Sequence, residues 1–225
     1  MILLDDANLS PPEHYWAAFL RHCDMNTSSK RIISIGGNQS WTLPEHLRFL
    51  ATVNFDHTTE KLSPRFLDRA WVVTLDSSSI MDNAQDNPAN IGDMVSYRSL
   101  QDSFRVAPSN TMDSETEQKW NTLRDIFRRR GLPITSRTSR MVRDYCAVAC
   151  RCMTRDTPET HMAPLDYAFS QKILPSINGQ GEIYRELIYD LRRECAEMGM
   201  PLTARHLEQM QRSSDSHQGV YRFFP

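Results

Sequence analysis

Long apolar runs are missing from this 225-residue sequence, and none approaches the roughly 18 residues that a membrane-spanning helix requires. The first apolar run, residues 1–4, is interrupted at once by Asp5 and Asp6, so we expect no secretory signal peptide. Net charge is also small, at −2 for pH 7. This value excludes a strong overall attraction to nucleic acid or anionic membranes, but it does not exclude a local basic groove.

Cysteine is scarce and its number is odd, with five residues at positions 23, 146, 150, 152 and 195. An odd number without a secretory signal favours a reducing, cytoplasmic environment. Cys146, Cys150 and Cys152 are separated by four residues and then two, which is not a standard zinc-binding pattern. Helical periodicity instead predicts Cys146 and Cys152 as core residues.

The sequence also lacks the phosphate-binding motif G-x-x-x-x-G-K-S/T. Its two glycine clusters are Gly36 with Gly37, and Gly179 with Gly181. Neither cluster is accompanied by the lysine and the helix start that cradle a phosphate. No residue segment here is therefore expected to hold a triphosphate alone.

The residues that are present predict two structured regions. An α/β region spans 1–75, a linker or insertion rich in Ser, Asn, Asp and Pro spans 76–114, a helical region spans 115–212, and a frayed tail spans 213–225. The first region is expected to contain a strand at 1–4, a helix starting at Pro11, a hairpin of 31–35 with 40–43, and buried strands at 49–53 and 70–75. The helical region is expected to contain helices over 114–130, 139–153, 165–174 and 182–198, and a short last helix capped by Thr203.

Polar side chains follow two of the predicted strands. Asp5 and Asp6 come directly after the first, and Asn54 follows the strand at 49–53. If these strands are neighbours, the three side chains meet at one sheet edge, where ligands of open α/β sheets bind. Carboxylates there suit Mg²⁺ and an attacking water, and a neutral amide can hold that water or a terminal phosphate.

Arginines provide a second candidate feature. Arg65 and Arg69 are four residues apart on a predicted amphipathic helix, where they could stabilise charge on a phosphoryl group of a neighbouring subunit. Arg137, followed by Arg140 and Arg143, lies near a predicted helix start and could reach a phosphate from the second region. Solvated arginines on ordinary surface helices fit the same pattern.

The order of these pieces resembles the second half of an AAA+ ATPase module. The segments LLDDANLSPPEHYWAAFL, LRFLATVNFDHTTEKLSPRFLDRA and DYAFSQKILPSINGQG are similar to McrB-type AAA+ proteins, the nucleotide-driven motor subunits of modification-dependent restriction systems. The resemblance covers nearly all of the chain except 76–114. It implies an α/β fold: a partial AAA+ (P-loop NTPase) parallel sheet without its P-loop half, followed by an α-helical lid.

The resemblance also implies roles for individual residues. Asp5 and Asp6 would be the Walker B pair that binds the metal, and Asp6 with Asn54 (sensor 1) would serve catalysis. Arg69, or alternatively Arg65, would be the arginine finger, and Arg137, or alternatively Arg140, would be the nucleotide-binding sensor 2. The hairpin at 31–43 resembles the pre-sensor hairpin. The implied cofactors are Mg²⁺ and ATP or GTP. The implied partners are further copies in a hexameric ring, an endonuclease subunit, and DNA reached through the complex.

Three departures from the family pattern qualify these expectations. Asp6 stands where the family usually has the longer Glu, so it is expected to reach the water less well. Residues 53–57 read VNFDH rather than the Met-Asn-Thr-x-Asp of guanine-selective relatives, which leaves ATP and GTP open. The missing P-loop implies that the first half of the module lies outside these residues, that the chain alone is inactive, and that the strand at 70–75 has an open edge. Region 1–75 is therefore expected to be less stable than the helices.

Two other functions fit the residues. The chain could be a non-catalytic protein that joins a ring and supplies only Arg65 and Arg69 at an interface. It could instead be a helical DNA-binding module that uses Arg128, Arg129 and Arg130 together with the arginines at 137–143.

Overall fold

The computed structural model describes eight stretches of the chain: residues 1–24, 31–36, 39–44, 47–55, 59–75, 95–106, 111–216 and 219–224. The described residues up to 75 form short strands and short helices, and the described residues from 95 to 216 are mostly helical. No helix in these stretches is long and apolar enough to cross a membrane.

The N-terminal part contains strand β1 (Ile2–Leu4), helices α1 (Pro12–Tyr15) and α2 (Ala17–Leu20), a 3₁₀ helix (Arg21–Asp24), strands β2 (Arg31–Gly36), β3 (Gln39–Leu43) and β4 (Phe49–Ala51), and helix α3 (Pro64–Leu67). Strands β1 and β4 pair in parallel, with Ile2 opposite Phe49 and Leu4 opposite Ala51. Strands β2 and β3 form the predicted antiparallel hairpin.

The expectation that the strand after residue 48 is buried on both faces was wrong. Leu50 is 52% exposed and Leu3, its partner in β1, is 56% exposed. Within the described stretches this sheet contains two strands, so there is too little neighbouring structure to cover its apolar side chains. Both strands are consequently short, and β4 ends at Ala51 rather than at residue 53.

A small apolar cluster holds the N-terminal part together. Trp16 and Leu20 pack with Leu62, Phe66 and Leu67, and the Trp16 ring contacts Phe49 edge-on at 4.9 Å. Helix α3 begins at Pro64 because Ser63 accepts a hydrogen bond from the Phe66 amide, 3.1 Å away.

Ser10 and Glu13 have the spacing of a capping box, but they do not form one. Pro11 occupies the N-cap of α1 and no side chain caps the helix. The Glu13 carboxylate instead accepts a hydrogen bond from the Ser63 hydroxyl. The partner that Glu13 binds is distant in sequence, so the contact joins α1 to the start of α3.

The strand predicted at 70–75 was also wrong, because residues 71–75 have no regular secondary structure. A strand needs a neighbour to pair with its backbone, and in the described part of the chain none lies beside this segment. The Val72 amide donates instead to the Gln171 carbonyl at 2.9 Å, and the Trp71 ring packs on Tyr145 at 4.9 Å. Val73 and Leu75 stay exposed.

The second part contains helices α4 (Tyr97–Phe104), α5 (Ser114–Arg129), α6 (Ser136–Cys152), α7 (Pro158–His161) and α8 (Ala163–Ala168), a π-helix (Phe169–Ile173), a 3₁₀ helix (Leu174–Ser176), strand β5 (Asn178–Gln180), helices α9 (Glu182–Glu197) and α10 (Pro201–Ser216), and strand β6 (Val220–Arg222). Its core is formed by fully buried side chains, including Trp120, Leu123, Leu165, Phe169, Leu187, Leu191 and Leu207.

The predicted helices over 114–130, 139–153 and 182–198 are confirmed with shifted ends. Helix α5 is capped by Asp113, whose side chain accepts a hydrogen bond from the Thr116 amide. Helix α6 begins three residues earlier than expected because Thr135 caps it. The predicted helix 165–174 is divided into α8, the π-helix and the 3₁₀ turn.

The end of the chain differs most from expectation. The last helix is not short and is not capped by Thr203, because α10 has 16 residues and Thr203 is buried in its first turn. The tail predicted as frayed contains β6, which pairs antiparallel with β5, and the Phe224 ring stacks on Phe55 at 4.1 Å. The C-terminal residues therefore contact the N-terminal part.

Two further expectations are corrected. Residues 97–104 of the predicted linker form helix α4, whereas 76–94 and 107–110 lie outside the described residues. Among the cysteines, Cys146 is buried as expected, but Cys152 is exposed at the end of α6.

Candidate functional site

The carboxyl ends of β1 and β4 bring the predicted acidic and amide residues into contact. The Asn54 amide donates to Asp6 Oδ1 at 2.7 Å. Between them lies Thr52, whose hydroxyl donates to Asp5 Oδ1 at 2.6 Å and accepts from the Asp6 amide at 2.9 Å. Asp5, Asp6 and Asn54 thus form one polar cluster, because parallel strands end on the same side of a sheet.

Asn8 fixes the geometry of this cluster and was not identified from the sequence. Its fully buried amide donates to the carbonyl oxygens of Asn54 (2.7 Å) and Glu60 (3.1 Å) and accepts from the Asn54 backbone amide at 3.2 Å. Asp6 adopts a positive φ of 46°, so the chain turns sharply after β1 toward Asn8. The sequence offers no signal for this role beyond the position of Asn8 two residues after the acidic pair.

The oxygen ligands of this cluster fit a magnesium ion that keeps most of its own water. Mg²⁺ is commonly bound through one or two carboxylates, with waters and substrate phosphates completing its shell. Asp5 and Asp6 provide two carboxylates, one exposed and one half-buried. The described residues contain no group of three or more His, Cys, Asp and Glu placed to hold a metal.

The arginines near α3 are arranged differently from the predicted helical face. Helix α3 ends at Leu67, so Arg65 lies on it and Arg69 lies in the following turn. The Arg69 guanidinium donates to the Arg65 carbonyl oxygen at 2.8 Å, which holds it against α3. Arg65 is exposed and lines the cavity described below.

Arg137, the predicted sensor 2 residue, lies in the first turn of α6 and forms an ion pair with Asp68. The Thr138 hydroxyl donates to the same carboxylate at 3.1 Å. Partial burial acts to raise the pKa of Asp68, but the hydrogen bonds from Arg137 and Thr138 outweigh it and lower the pKa below its ordinary value. Arg140, the alternative, is exposed one turn further along α6.

A cavity of about 590 Å³ adjoins this ion pair. Its polar wall is formed by Arg65, Asp68, Thr135, Thr138 and Lys172, and its apolar wall by residues of α5, the π-helix and α9. Its size falls in the range of small-molecule sites. The arginine helix and the helical part therefore share one concave surface.

Three of the arginines proposed for DNA binding form ion pairs with carboxylates of the helical part. Arg130 forms ion pairs with Glu186 and with Asp190, the latter at 2.5 Å. Arg143 pairs with Glu117 at 2.5 Å, and Arg128 pairs with Asp125 at 3.1 Å. These carboxylates offset the positive charge that a phosphate backbone would need to contact.

Comparison with known proteins gives one family. No curated protein and no solved structure matches the chain. A family model described as "Domain of unknown function (DUF8727)" matches residues 89–219, which include every helix from α4 to α10 and more than half of the 225 residues. The chain therefore belongs to the DUF8727 family.

Proposed function

We propose that the cluster at the ends of β1 and β4 is the metal- and water-binding edge of a nucleoside-triphosphate site of the AAA+ type. The observation that supports it most is the 2.7 Å hydrogen bond between Asn54 and Asp6 at matching ends of two parallel strands. A carboxylate beside an amide at this position suits the handling of an attacking water. The proposal includes both ATP and GTP.

Each side chain has a separate task in this proposal. Asp6 orients the attacking water and accepts its proton, and the Asn54 amide holds the Asp6 carboxylate in position. Asp5 faces the metal, with one of its oxygens fixed by Thr52 at 2.6 Å. Mg²⁺, when bound, neutralises charge on the phosphate oxygens. Arg69 or Arg65 acts on the nucleotide of a neighbouring copy, and Arg137 or Arg140 acts on that of its own chain.

The proposed site needs a phosphate-binding loop that the 225 residues do not contain. We therefore propose that other residues provide this loop and that the present chain alone hydrolyses no nucleotide. By the McrB resemblance, the complete assembly is a hexameric ring that drives an endonuclease on DNA. In that assembly the helical part takes the role of the lid.

A metal-probe experiment tests the cluster directly. Because the chain has no loop to hold a triphosphate, Mn²⁺ alone is the probe, and it should broaden the amide NMR signals of residues 5–8 and 52–54 in the 225-residue chain. Asp5→Asn keeps the acceptor for Thr52 but removes the negative charge. The metal affinity obtained from the broadening should therefore fall about tenfold. Asp125→Asn, an exposed aspartate of α5, should leave it unchanged.

Two outcomes contradict the proposal. Signals that stay sharp, or broadening that Asp5→Asn does not alter, would place the metal elsewhere. Clear phosphate release from the isolated chain that Asp6→Asn abolishes would refute the argument that the site is only half of a complete one.

The non-catalytic alternative is favoured by one observation, the exposed apolar side chains of Leu3 and Leu50 on β1 and β4. A sheet face of this kind is typical of contact with another chain. Co-purification with a P-loop protein, lost on Leu50→Lys but unaffected by Asp6→Asn, would support this alternative over the catalytic proposal.

A further inference from the structure

A second cavity, of about 370 Å³, lies between residues 73–75, the π-helix and α10. Asp5, Asp6 and Asn54 do not line it, so its chemistry is independent of the proposed nucleotide site. Ser170 and His206 form part of its wall, and both side chains are more than nine-tenths buried. The remainder includes Leu202 and Phe223, which give the cavity an apolar side.

The His206 ring presents a hydrogen-bond donor to this cavity. Its Nδ1 lies 2.9 Å from the Ser170 hydroxyl oxygen, which makes no other hydrogen bond in the described part of the chain. A buried hydroxyl group donates a hydrogen bond when an acceptor is within reach, so we assign Ser170 as the donor and His206 Nδ1 as the acceptor. The neutral ring then carries its own proton on Nε2. Burial lowers the His206 pKa, as does the neighbouring Arg205, which keeps this neutral form at pH 7.

Nε2 itself is left for a ligand. Among the described residues, Nε2 has no hydrogen-bond partner. It is also absent from the polar atoms that are fully buried without a partner, so it keeps some exposure. Because His206 lines the cavity and is only 7% exposed, we infer that Nε2 faces the cavity. The Nε2 proton is therefore available to an acceptor inside it.

The charges around the cavity favour an anion. Arg205 lines it, and its described lining contains no aspartate or glutamate. Asp166, whose charge acts on His206, is occupied by the backbone amides of Leu202 at 2.9 Å and Thr203 at 2.7 Å. Arg205 and the neutral His206 ring thus line the cavity together with uncharged polar side chains, and no carboxylate in its described lining competes with them.

We propose that this cavity binds a small organic carboxylate with an apolar body. The carboxylate accepts a hydrogen bond from His206 Nε2 and pairs with Arg205, while the apolar body packs against Leu202 and Phe223. A volume of about 370 Å³ is near the lower end of small-molecule sites, so the ligand is compact. The cavity thus combines an apolar side for the ligand body with polar groups that can orient a carboxylate.

Hexanoate and its neutral analogue hexanamide test the proposal on the 225-residue chain. Isothermal titration calorimetry should show hexanoate binding at least about tenfold more tightly than hexanamide, because only the acid gains charge-assisted hydrogen bonds. The His206 imidazole nitrogen signals should shift on titration. Arg205→Gln should weaken hexanoate about tenfold, whereas Arg212→Gln, elsewhere on α10, should have no effect.

Variants at His206 separate ligand binding from packing. His206→Asn can still accept the Ser170 hydrogen bond but does not reach the Nε2 position, so it should lose hexanoate. His206→Gln places an amide donor near that position and should recover part of the affinity. Equal binding of acid and amide, no binding of either, or full affinity in a folded His206→Asn protein would overturn the proposal, whatever the fate of the nucleotide site.

Discussion

Replacing Lys172 with methionine should destabilise the whole chain, because this buried lysine joins its two parts. Its side chain is 2% exposed and lies in the π-helix. The ammonium donates to three carbonyl oxygens at the end of α3: Leu67 at 3.0 Å, Asp68 at 2.9 Å and Ala70 at 2.8 Å. Methionine has similar length but cannot donate.

The magnitude follows from two opposing effects. A hydrogen bond from a charged donor contributes about 1.5–3 kcal/mol, and buried carbonyls left without a donor cost about 1–3 kcal/mol each. Methionine also removes the several kcal/mol that desolvating an ammonium costs. Because the three bonds share one ammonium, their contributions do not add in full. We expect a loss of about 3 kcal/mol in the free energy of unfolding.

Urea unfolding followed by tryptophan fluorescence measures this loss, since Trp16 and Trp71 belong to the N-terminal part. Hydrogen exchange should show the largest loss of protection at residues 67–72. Lys61→Met, the same change at an exposed lysine, should alter stability by no more than about 0.5 kcal/mol. A Lys172→Met protein that loses less than about 1 kcal/mol, or loses protection uniformly, would refute this account of how the parts are joined.

Two further predictions concern the same boundary. Asp68→Asn should lower the free energy of unfolding by about 1 kcal/mol near neutral pH. Because the folded-state pKa of Asp68 is lowered, this difference from wild type should stay constant above about pH 4 and vanish as the pH falls through the folded pKa. Urea titrations across this range measure it, and a difference that grows in acid would contradict the ion-pair explanation. In the unmodified chain, hydrogen exchange should be faster in residues 1–75 than in helices α5, α6, α9 and α10, since the exposed β1–β4 sheet buries little; strong protection throughout 1–75 would show that the open sheet is not a weakness.

Helix α9 shows why the helices of the second part could be predicted. Its apolar residues recur at helical spacing, and Leu187, Ile188, Leu191 and Cys195 are all buried as that spacing requires. Ile183 belongs to the same pattern but lies in the first turn of α9, where it is 53% exposed. Periodicity identifies a helix and its face, whereas neighbouring elements decide which residues of that face are covered.

The π-helix at 169–173 could not be predicted, because its cause is not local. The residues read as a continuous amphipathic helix in sequence, and the wider turn places Gln171 and Lys172 against residues 67–72. The β5–β6 pairing was missed for a related reason, since the two strands are about forty residues apart and each has only three residues. Contacts between distant segments determine both features.

Within the candidate site, the meeting of Asp6 with Asn54 could be predicted because it depends only on two parallel strands ending together. The role of Asn8 depends on the path of the turn after β1, which the sequence does not specify. The pairing of Arg137 with Asp68 depends on how the helical part docks on α3. Residues placed by pairing register were thus accessible to sequence reasoning, and residues placed by docking were not.

This docking has a consequence for the proposed function. Lys172 and Arg137, from the helical part, both bind groups at the end of α3, immediately beside Arg65 and Arg69. The helical part cannot turn relative to α3 without breaking three lysine hydrogen bonds and an ion pair, so α3 must move with it. If Arg69 or Arg65 acts on the nucleotide of a neighbouring copy, the position of that arginine depends on the orientation of the DUF8727 domain in the same chain. In the proposed AAA+ assembly, a change in the orientation of the helical part at one nucleotide would then be transmitted to the neighbouring nucleotide through α3. Lys172→Met would weaken this transmission while leaving the Asp6–Asn54 contact intact.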